Sequence, residues 1–146
     1  MNNVTKFKIL KPAAEVFEAF VDPAKIGNFW FSSSSERWES GKTVTLRYQE
    51  YNAVLDIRVI EVKLDEKIVF LWGPPEDEHQ VTITITETRQ DEAIIEVVEE
   101  GFKEDDPELT FKLVDNKEGW VYMLTCLKGY LENGISTLRG GMIKDL

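Results

Sequence analysis

Three acidic residues near the end of a predicted strand could supply acid–base chemistry: Glu96, Glu99 and Glu100. Glu96 stands between two apolar residues, and burial among apolar neighbours is one way in which proteins tune a carboxyl group for proton transfer. The same alternation allows a second interpretation, in which Glu96 faces solvent together with Ile94 and Val98. We favour the second interpretation because charged outer faces are common in antiparallel sheets.

His79 is the single histidine of the chain and Cys126 is the single cysteine. These two residues provide too few nitrogen and sulfur ligands for a structural metal site, and no feature of the sequence brings them together as a nucleophile pair. We interpret His79 as part of a solvated acidic turn that follows residues 74–78, and Cys126 as a small apolar residue of the core. No glycine-rich phosphate-binding loop is present, so no cofactor and no metal are expected.

The charge of the chain limits the classes of partner. The net charge is −10, from 27 acidic and 17 basic residues among 146. Such a charge disfavours nucleic acid and anionic bilayers as partners. The sequence contains no signal-peptide core and no apolar run long enough to span a membrane, which predicts a cytoplasmic protein. We predict a single domain over residues 1–146, whose oligomeric state the sequence leaves open.

The elements that would position any site are mostly strands. A first strand is predicted over residues 4–10, and two short helices follow, one near Pro12 and one near Asp22. The polar residues 32–35 then predict a loop. From Thr43 to Glu100 the apolar residues recur with a period of two, which predicts a meander of antiparallel strands. The apolar parity changes at Val59–Ile60, as a β-bulge would produce.

The last forty residues predict a long amphipathic helix over residues 117–138, roughly 33 Å long at 1.5 Å per residue. Its apolar residues recur at steps of three and four along one stripe, which Met123, Tyr130 and Val121 widen to about half of the circumference. The stripe consists of Trp120, Leu124, Leu127, Leu131, Ile135 and Leu138. Asp115 and Glu118 have the spacing of a capping box at its start, and Gly140-Gly141 is predicted to stop it. The sequence therefore predicts an α+β fold, with a curved antiparallel sheet of about six to seven strands wrapped around the C-terminal helix.

Aromatic residues are numerous on the predicted elements, and two interpretations of them stay open. They could fill the core, or they could line a cavity between sheet and helix that admits a small apolar or amphipathic molecule. The residues predicted to line such a cavity are Trp30, Tyr48, Trp72, Phe102, Trp120, Leu124, Leu127 and Leu131.

Several motifs, in this order and spacing, resemble the START-like, helix-grip (SRPBCC) superfamily, and within it the bacterial homologues of the heat-shock-protein-90 ATPase activator, the Aha-type family. The matching segments are residues 12–23, Phe29-Trp30, residues 69–72, residues 99–102 and Gly119-Trp120. The acidic residues 103–115 match no part of the pattern. The resemblance implies a helix-grip fold with a hollow between sheet and helix.

Three functions follow as hypotheses. The first is non-catalytic binding of a small hydrophobic or amphipathic ligand. The second, implied by the resemblance, is a chaperone-cofactor or stress-response role with a chaperone as partner. The third is a cyclase- or hydrolase-like enzyme that uses Glu96 and Tyr48, and an outward-facing Glu96 would remove it. We expect no catalytic activity because the sequence contains no convincing catalytic set.

Overall fold

The alternating apolar residues build one antiparallel sheet, and the computed structural model describes residues 1–144 of the chain. The elements, in chain order, are β1 (Asn3–Ile9), α1 (Ala13–Val21), β2 (Ser33–Ser34), β3 (Thr43–Tyr48), β4 (Ala53–Lys63), β5 (Lys67–Trp72), β6 (His79–Arg89), β7 (Glu92–Glu100) and α2 (Leu109–Asn133). Short 3-10 helices occupy Ile26–Asn28, Gln49–Tyr51 and Pro75–Asp77. Residues 145 and 146 of the predicted domain lie outside the described part of the chain.

The seven strands follow the order β1-β7-β6-β5-β4-β3-β2, so the first strand joins the far end of the meander by pairing with β7. One face of the sheet is apolar and carries the long helix α2 and the shorter α1. The core between the sheet and the helices includes Phe70, Ile83 and Ile95, which are fully buried. This arrangement confirms the predicted α+β fold with a curved sheet around the C-terminal helix.

The β-bulge predicted near Val59 is confirmed. The register between β4 and β5 shifts between Val59 and Glu61, which is the predicted β-bulge. The tip of the β6–β7 hairpin contains Asp91 in a left-handed conformation, with φ of 57°. Aspartate tolerates this conformation better than most residues because its short side chain can hydrogen-bond locally. Cys126 is buried in the core, as predicted.

The boundaries predicted for the long helix are wrong. Helix α2 spans Leu109–Asn133 instead of residues 117–138. It ends because Gly134 takes a left-handed conformation, with φ of 67°, and its N–H bonds back to the carbonyl of Tyr130 at 2.9 Å. Glycine adopts this conformation without the steric cost that a Cβ atom imposes. Asp115 and Glu118 therefore lie inside the helix and form no capping box.

Three smaller predictions also need correction. The second short helix after β1 is a single 3-10 turn, Ile26–Asn28. The polar segment at residues 32–35, predicted as a loop, contains the short edge strand β2, which pairs with β3. Gly140 and Gly141, predicted to stop the helix, lie several residues beyond its end.

Candidate functional site

A cavity of about 210 Å³ opens between the middle turns of α2, strand β3 and the end of β5. Aromatic rings make up half of its lining residues, a composition typical of sites for small organic ligands. The lining residues are Trp30, Tyr48, Tyr51, Trp72, Asp115, Asn116, Gly119, Trp120, Tyr122, Met123, Met142 and Lys144. A cavity of this size suits a molecule somewhat larger than benzene, for which about 150 Å³ is sufficient.

Three tryptophan rings form one continuous surface of this cavity, which we call the aromatic wall (Trp30, Trp72 and Trp120). The rings of Trp72 and Trp120 stack with centroids 5.4 Å apart and an angle of 25° between their planes. Trp30 lies 5.5 Å from Trp120 and 6.4 Å from Trp72. Mutual packing of large rings restricts their rotamers, so the wall is a preformed surface.

A buried carboxylate holds two rings of the aromatic wall in place. Glu99 is 1% exposed. Its Oε1 accepts a hydrogen bond from Trp120 Nε1 at 2.8 Å, and its Oε2 accepts one from Trp72 Nε1 at 3.4 Å. Glu99 has the same strand parity as Ile95 and Val97, which explains why its side chain enters the core.

His79 shares this carboxylate, which corrects the prediction that it belongs to a solvated turn. It begins strand β6 and is 6% exposed. Its Nδ1 lies 2.6 Å from Glu99 Oε2, its Nε2 lies 3.3 Å from Asp77 Oδ1, and its ring packs against Phe102 with centroids 4.5 Å apart. A hydrogen bond from Lys112 holds the pKa of Asp77 below its usual range. The cluster therefore extends from the core behind the wall to the protein surface.

The opening of the cavity is partly covered by residues 135–144, which we call the C-terminal strap. The hydroxyl group of Tyr51 donates a hydrogen bond to the carbonyl oxygen of Met142 at 2.8 Å. The hydroxyl group of Tyr122 donates another to the carbonyl oxygen of Leu138. Two tyrosines of the cavity lining thus fasten the strap across the opening.

Lys144, at the end of the described strap, forms ion pairs with helix α2 beside the cavity. Its Nζ lies 2.8 Å from Asp115 Oδ1 and 3.3 Å from Glu118 Oε1. Partial burial alone would lower the pKa of Lys144, but the hydrogen bonds and charges of these carboxylates outweigh burial and raise it. The ammonium group therefore stays charged at neutral pH.

Arg139 anchors the strap at its other end. Its guanidinium donates to both carboxylate oxygens of Glu50, at 2.7 and 2.9 Å, and its Nε donates to the carbonyl oxygen of Trp30 at 2.7 Å. The same group stands 4.9 Å from the ring centroid of Tyr48, a cation–π distance. Burial raises the pKa of Tyr48 to about 12, so its phenol is neutral at physiological pH.

We expect the Arg139–Glu50 ion pair to contribute less to the free energy of unfolding in acid. Its hydrogen bonds hold the pKa of Glu50 at about 2, below the usual value of 4.5. Because the folded pKa is the lower one, the stabilisation is fully present above pH 4.5 and is lost as the pH falls towards 2. We expect the difference in unfolding free energy between the wild type and Glu50→Gln to shrink over this range. Denaturant titrations at several pH values measure it, and a pH-independent difference would contradict the assignment.

The structure brings four of the eight predicted ligand residues to the cavity: Trp30, Tyr48, Trp72 and Trp120. Leu124 and Leu127 are fully buried in the core below it, Leu131 is half-buried against the same core, and Phe102 lies against His79. Whether these residues contact a ligand stays a prediction.

Glu96 and Tyr48, the pair of the enzyme hypothesis, do not meet. Glu96 points away from the helix face of β7 and forms an ion pair with Lys6 at 3.2 Å, whereas Tyr48 lines the cavity. This separation removes the pair of residues on which the enzyme hypothesis depends.

Several cavity residues were missed by the sequence analysis. Asp115, Asn116 and Gly119 lie within about one turn of helix, a spacing visible in the sequence once the correct start of α2 is known. Met142 and Lys144 belong to the strap, which has no periodic pattern. Within residues 1–144, no group of three or more histidine, cysteine or acidic residues is placed to hold a metal ion. None of the helices in that part of the chain is long and apolar enough to cross a membrane.

The comparison with protein families gives a match over residues 11–132, to the family described as Activator of Hsp90 ATPase homolog 1-like protein. The protein SSP2350 from Staphylococcus saprophyticus is 48% identical, with a TM-score of 0.82 over 93% of this chain and 95% of that one. A search of curated proteins finds no match.

Two further solved structures share the fold at low identity. The Aha1 dimer from Colwellia psychrerythraea is 16% identical, with a TM-score of 0.79 over 92% of this chain and 98% of that one. Protein MLL2253 from Mesorhizobium loti is 19% identical, with a TM-score of 0.78 over 90% of this chain and 97% of that one.

Proposed function

The chain belongs to the family of activator of Hsp90 ATPase homolog 1-like proteins, as its motifs predicted, and we propose that it binds a small apolar or amphipathic molecule without catalysis. The observation that carries this proposal is the cavity of about 210 Å³ with the preformed aromatic wall. Burial of apolar ligand surface there contributes about 25 cal/mol per Å², before the entropic cost of association.

The position of Gly119 supports a cavity that is kept open. Glycine inside a helix costs about 1 kcal/mol relative to alanine. Gly119 lines the cavity, and a Cβ atom built on it would meet nothing within 4 Å. Steric crowding therefore does not require a glycine here, and the absent side chain leaves free space over the aromatic wall.

Ligand titration tests the proposal directly. We expect the neutral probes 1-naphthol and 1-hexanol to shift the indole N–H resonances of Trp30, Trp72 and Trp120 in NMR spectra of the ¹⁵N-labelled protein. Trp38 is buried outside the cavity lining and serves as the internal control. Absence of shifts at the wall with both probes at millimolar concentration would contradict ligand binding and favour a packed core.

A blocking variant sharpens this test. Gly119→Phe places a ring in the open space of the cavity and is expected to weaken binding at least tenfold, roughly the effect of 1.4 kcal/mol. Gly119→Ala adds a single methyl group at the same site and should leave binding within about threefold. Val121→Phe, on the exposed surface of the same helix, controls for an added aromatic ring. Unchanged binding by Gly119→Phe would mean that the probes bind elsewhere.

A chaperone partner is the second candidate function, and an exposed surface of α2 favours it. Phe111, Val114 and Val121 recur at steps of three and seven, so they lie on one side of the helix, and all three are exposed. We propose that this surface contacts a bacterial heat-shock-protein-90 homologue. Phe111→Ser should weaken co-purification with that chaperone, while Gly119→Phe should not. Equal binding by the wild type and Phe111→Ser would contradict the assignment.

A further inference from the structure

Negatively charged groups outnumber positively charged ones beside the cavity opening. Asp115 and Lys144 are the charged residues of the cavity lining within the described chain. The ammonium group of Lys144 faces two carboxylates, those of Asp115 and Glu118, at 2.8 and 3.3 Å. These three groups together carry one net negative charge, so the opening attracts positive groups.

The aromatic wall also favours positively charged groups. The faces of aromatic rings are negative, and indole attracts cations most strongly among the side-chain rings. Behind the wall, Glu99 accepts the N–H groups of Trp72 and Trp120, and such hydrogen bonds polarise the donor rings towards greater electron density. His79 Nδ1 lies 2.6 Å from Glu99 Oε2, which leaves Oε1 to Trp120.

A cation of the chain itself already uses one ring of the lining. The guanidinium of Arg139 stands over Tyr48 at 4.9 Å. Its charge is balanced by Glu50, with which it forms two hydrogen bonds. Arg139 therefore adds no net positive charge to the cavity, and a ligand anion would find no unpaired cation among these residues.

Resting on the ligand cavity proposed above, we propose that the ligand is a small organic cation with an apolar body, such as a quaternary ammonium or a protonated aromatic amine. Lys144 is then an intramolecular competitor, which occupies Asp115 and Glu118 until the ligand enters. An alkylated ammonium sheds water more readily than the strongly hydrated lysine ammonium, so it gains more from the aromatic wall. The net charge of −10 also raises the local concentration of cations.

Three probes of nearly equal shape separate charge from apolar burial. Choline is the cation, 3,3-dimethyl-1-butanol the neutral isostere and 3,3-dimethylbutanoate the anion. At low ionic strength we expect choline to shift the indole resonances of Trp30, Trp72 and Trp120 with about tenfold higher affinity than the alcohol, within the range of cation–π effects. The carboxylate should bind most weakly. Binding of the alcohol or the carboxylate as tightly as choline would overturn the proposal.

Two charge variants test the cation proposal independently, because they should change the affinity for choline in opposite directions. Asp115→Asn should weaken choline binding about fivefold, and Lys144→Gln should strengthen it about threefold by removing the competitor, as expected for exposed ion pairs. Glu104→Gln makes the same charge change as Asp115→Asn at an exposed site outside the lining and should have little effect. Weaker choline binding by Lys144→Gln would overturn the proposal.

Different probe results would contradict the ligand-binding proposal and the cation proposal. If 1-naphthol and the neutral alcohol shift the aromatic wall and choline does not, the cation assignment is wrong and ligand binding survives. If none of these probes shifts the wall, the ligand cavity and the cation assignment are both contradicted.

Discussion

Replacement of Trp120 by alanine is expected to lower the free energy of unfolding by about 3–5 kcal/mol, the usual cost of removing a buried tryptophan. Trp120 is 4% exposed, and its ring contacts Trp30 and Trp72. Alanine would leave a void between helix and sheet and would remove the N–H donor from buried Glu99. Denaturant unfolding measures the loss, provided that the slope of free energy against denaturant concentration stays constant.

Two variants separate the contributions to this loss. Trp120→Phe keeps an aromatic ring but removes the N–H group, and it should cost about 1–3 kcal/mol, because a buried acceptor loses its partner. Phe111→Ala removes an aromatic ring from the same helix at a position that is 69% exposed, and should change stability by less than about 0.5 kcal/mol. A loss below about 1 kcal/mol for Trp120→Ala would mean that the wall is not part of the stabilising core.

The strands could be predicted because their signal is local. Val81, Ile83 and Ile85 alternate with threonines, and each is buried under the helices while its neighbours face outwards. A period of two determines which face each residue joins. The family motifs, such as Gly119-Trp120, then indicated how this sheet and the last helix are combined, and the family match confirms that reading.

The start of α2 could not be predicted by the same reasoning. Its first two turns carry Phe111 and Val114 on the exposed side, so no buried stripe marks them. The apolar stripe therefore begins at Trp120, and the capping-box spacing of Asp115 and Glu118 predicts a false start for the helix. In the structure these two carboxylates bind Lys144, a contact that depends on tertiary folding.

The contact between Glu99 and His79 was likewise not predictable from local sequence patterns. Strand parity placed Glu99 beside Val97 on the core face, which was visible in the sequence. Its partners come from other elements: His79 from the neighbouring strand β6, Trp72 from β5 and Trp120 from α2. A carboxylate enters a core when such donors converge on it, and their convergence is a property of the whole fold.

Glu99→Ala is expected to cost about 3–5 kcal/mol of unfolding free energy, comparable to the loss for Trp120→Ala. Removing the shared acceptor leaves several buried donors without a hydrogen-bond partner, each at a cost of about 1–3 kcal/mol. Here the stranded groups are the indole N–H of Trp120, that of Trp72 and the ring of His79. Glu96→Ala, three residues earlier on the opposite face of β7, removes an exposed ion pair with Lys6 and should cost less than about 1 kcal/mol.

A double-mutant cycle shows whether Glu99 acts through the groups it binds. Glu99→Ala and His79→Ala together should cost less than the sum of the single changes, with a coupling of about 0.5–3 kcal/mol, because each single variant already breaks the shared contact. Glu96→Ala and His79→Ala should be additive. The indole N–H resonances of Trp72 and Trp120 should also move in Glu99→Ala, since their acceptor is gone. Additive losses with unmoved indole resonances would mean that water satisfies these donors, and that the aromatic wall keeps its shape by packing alone.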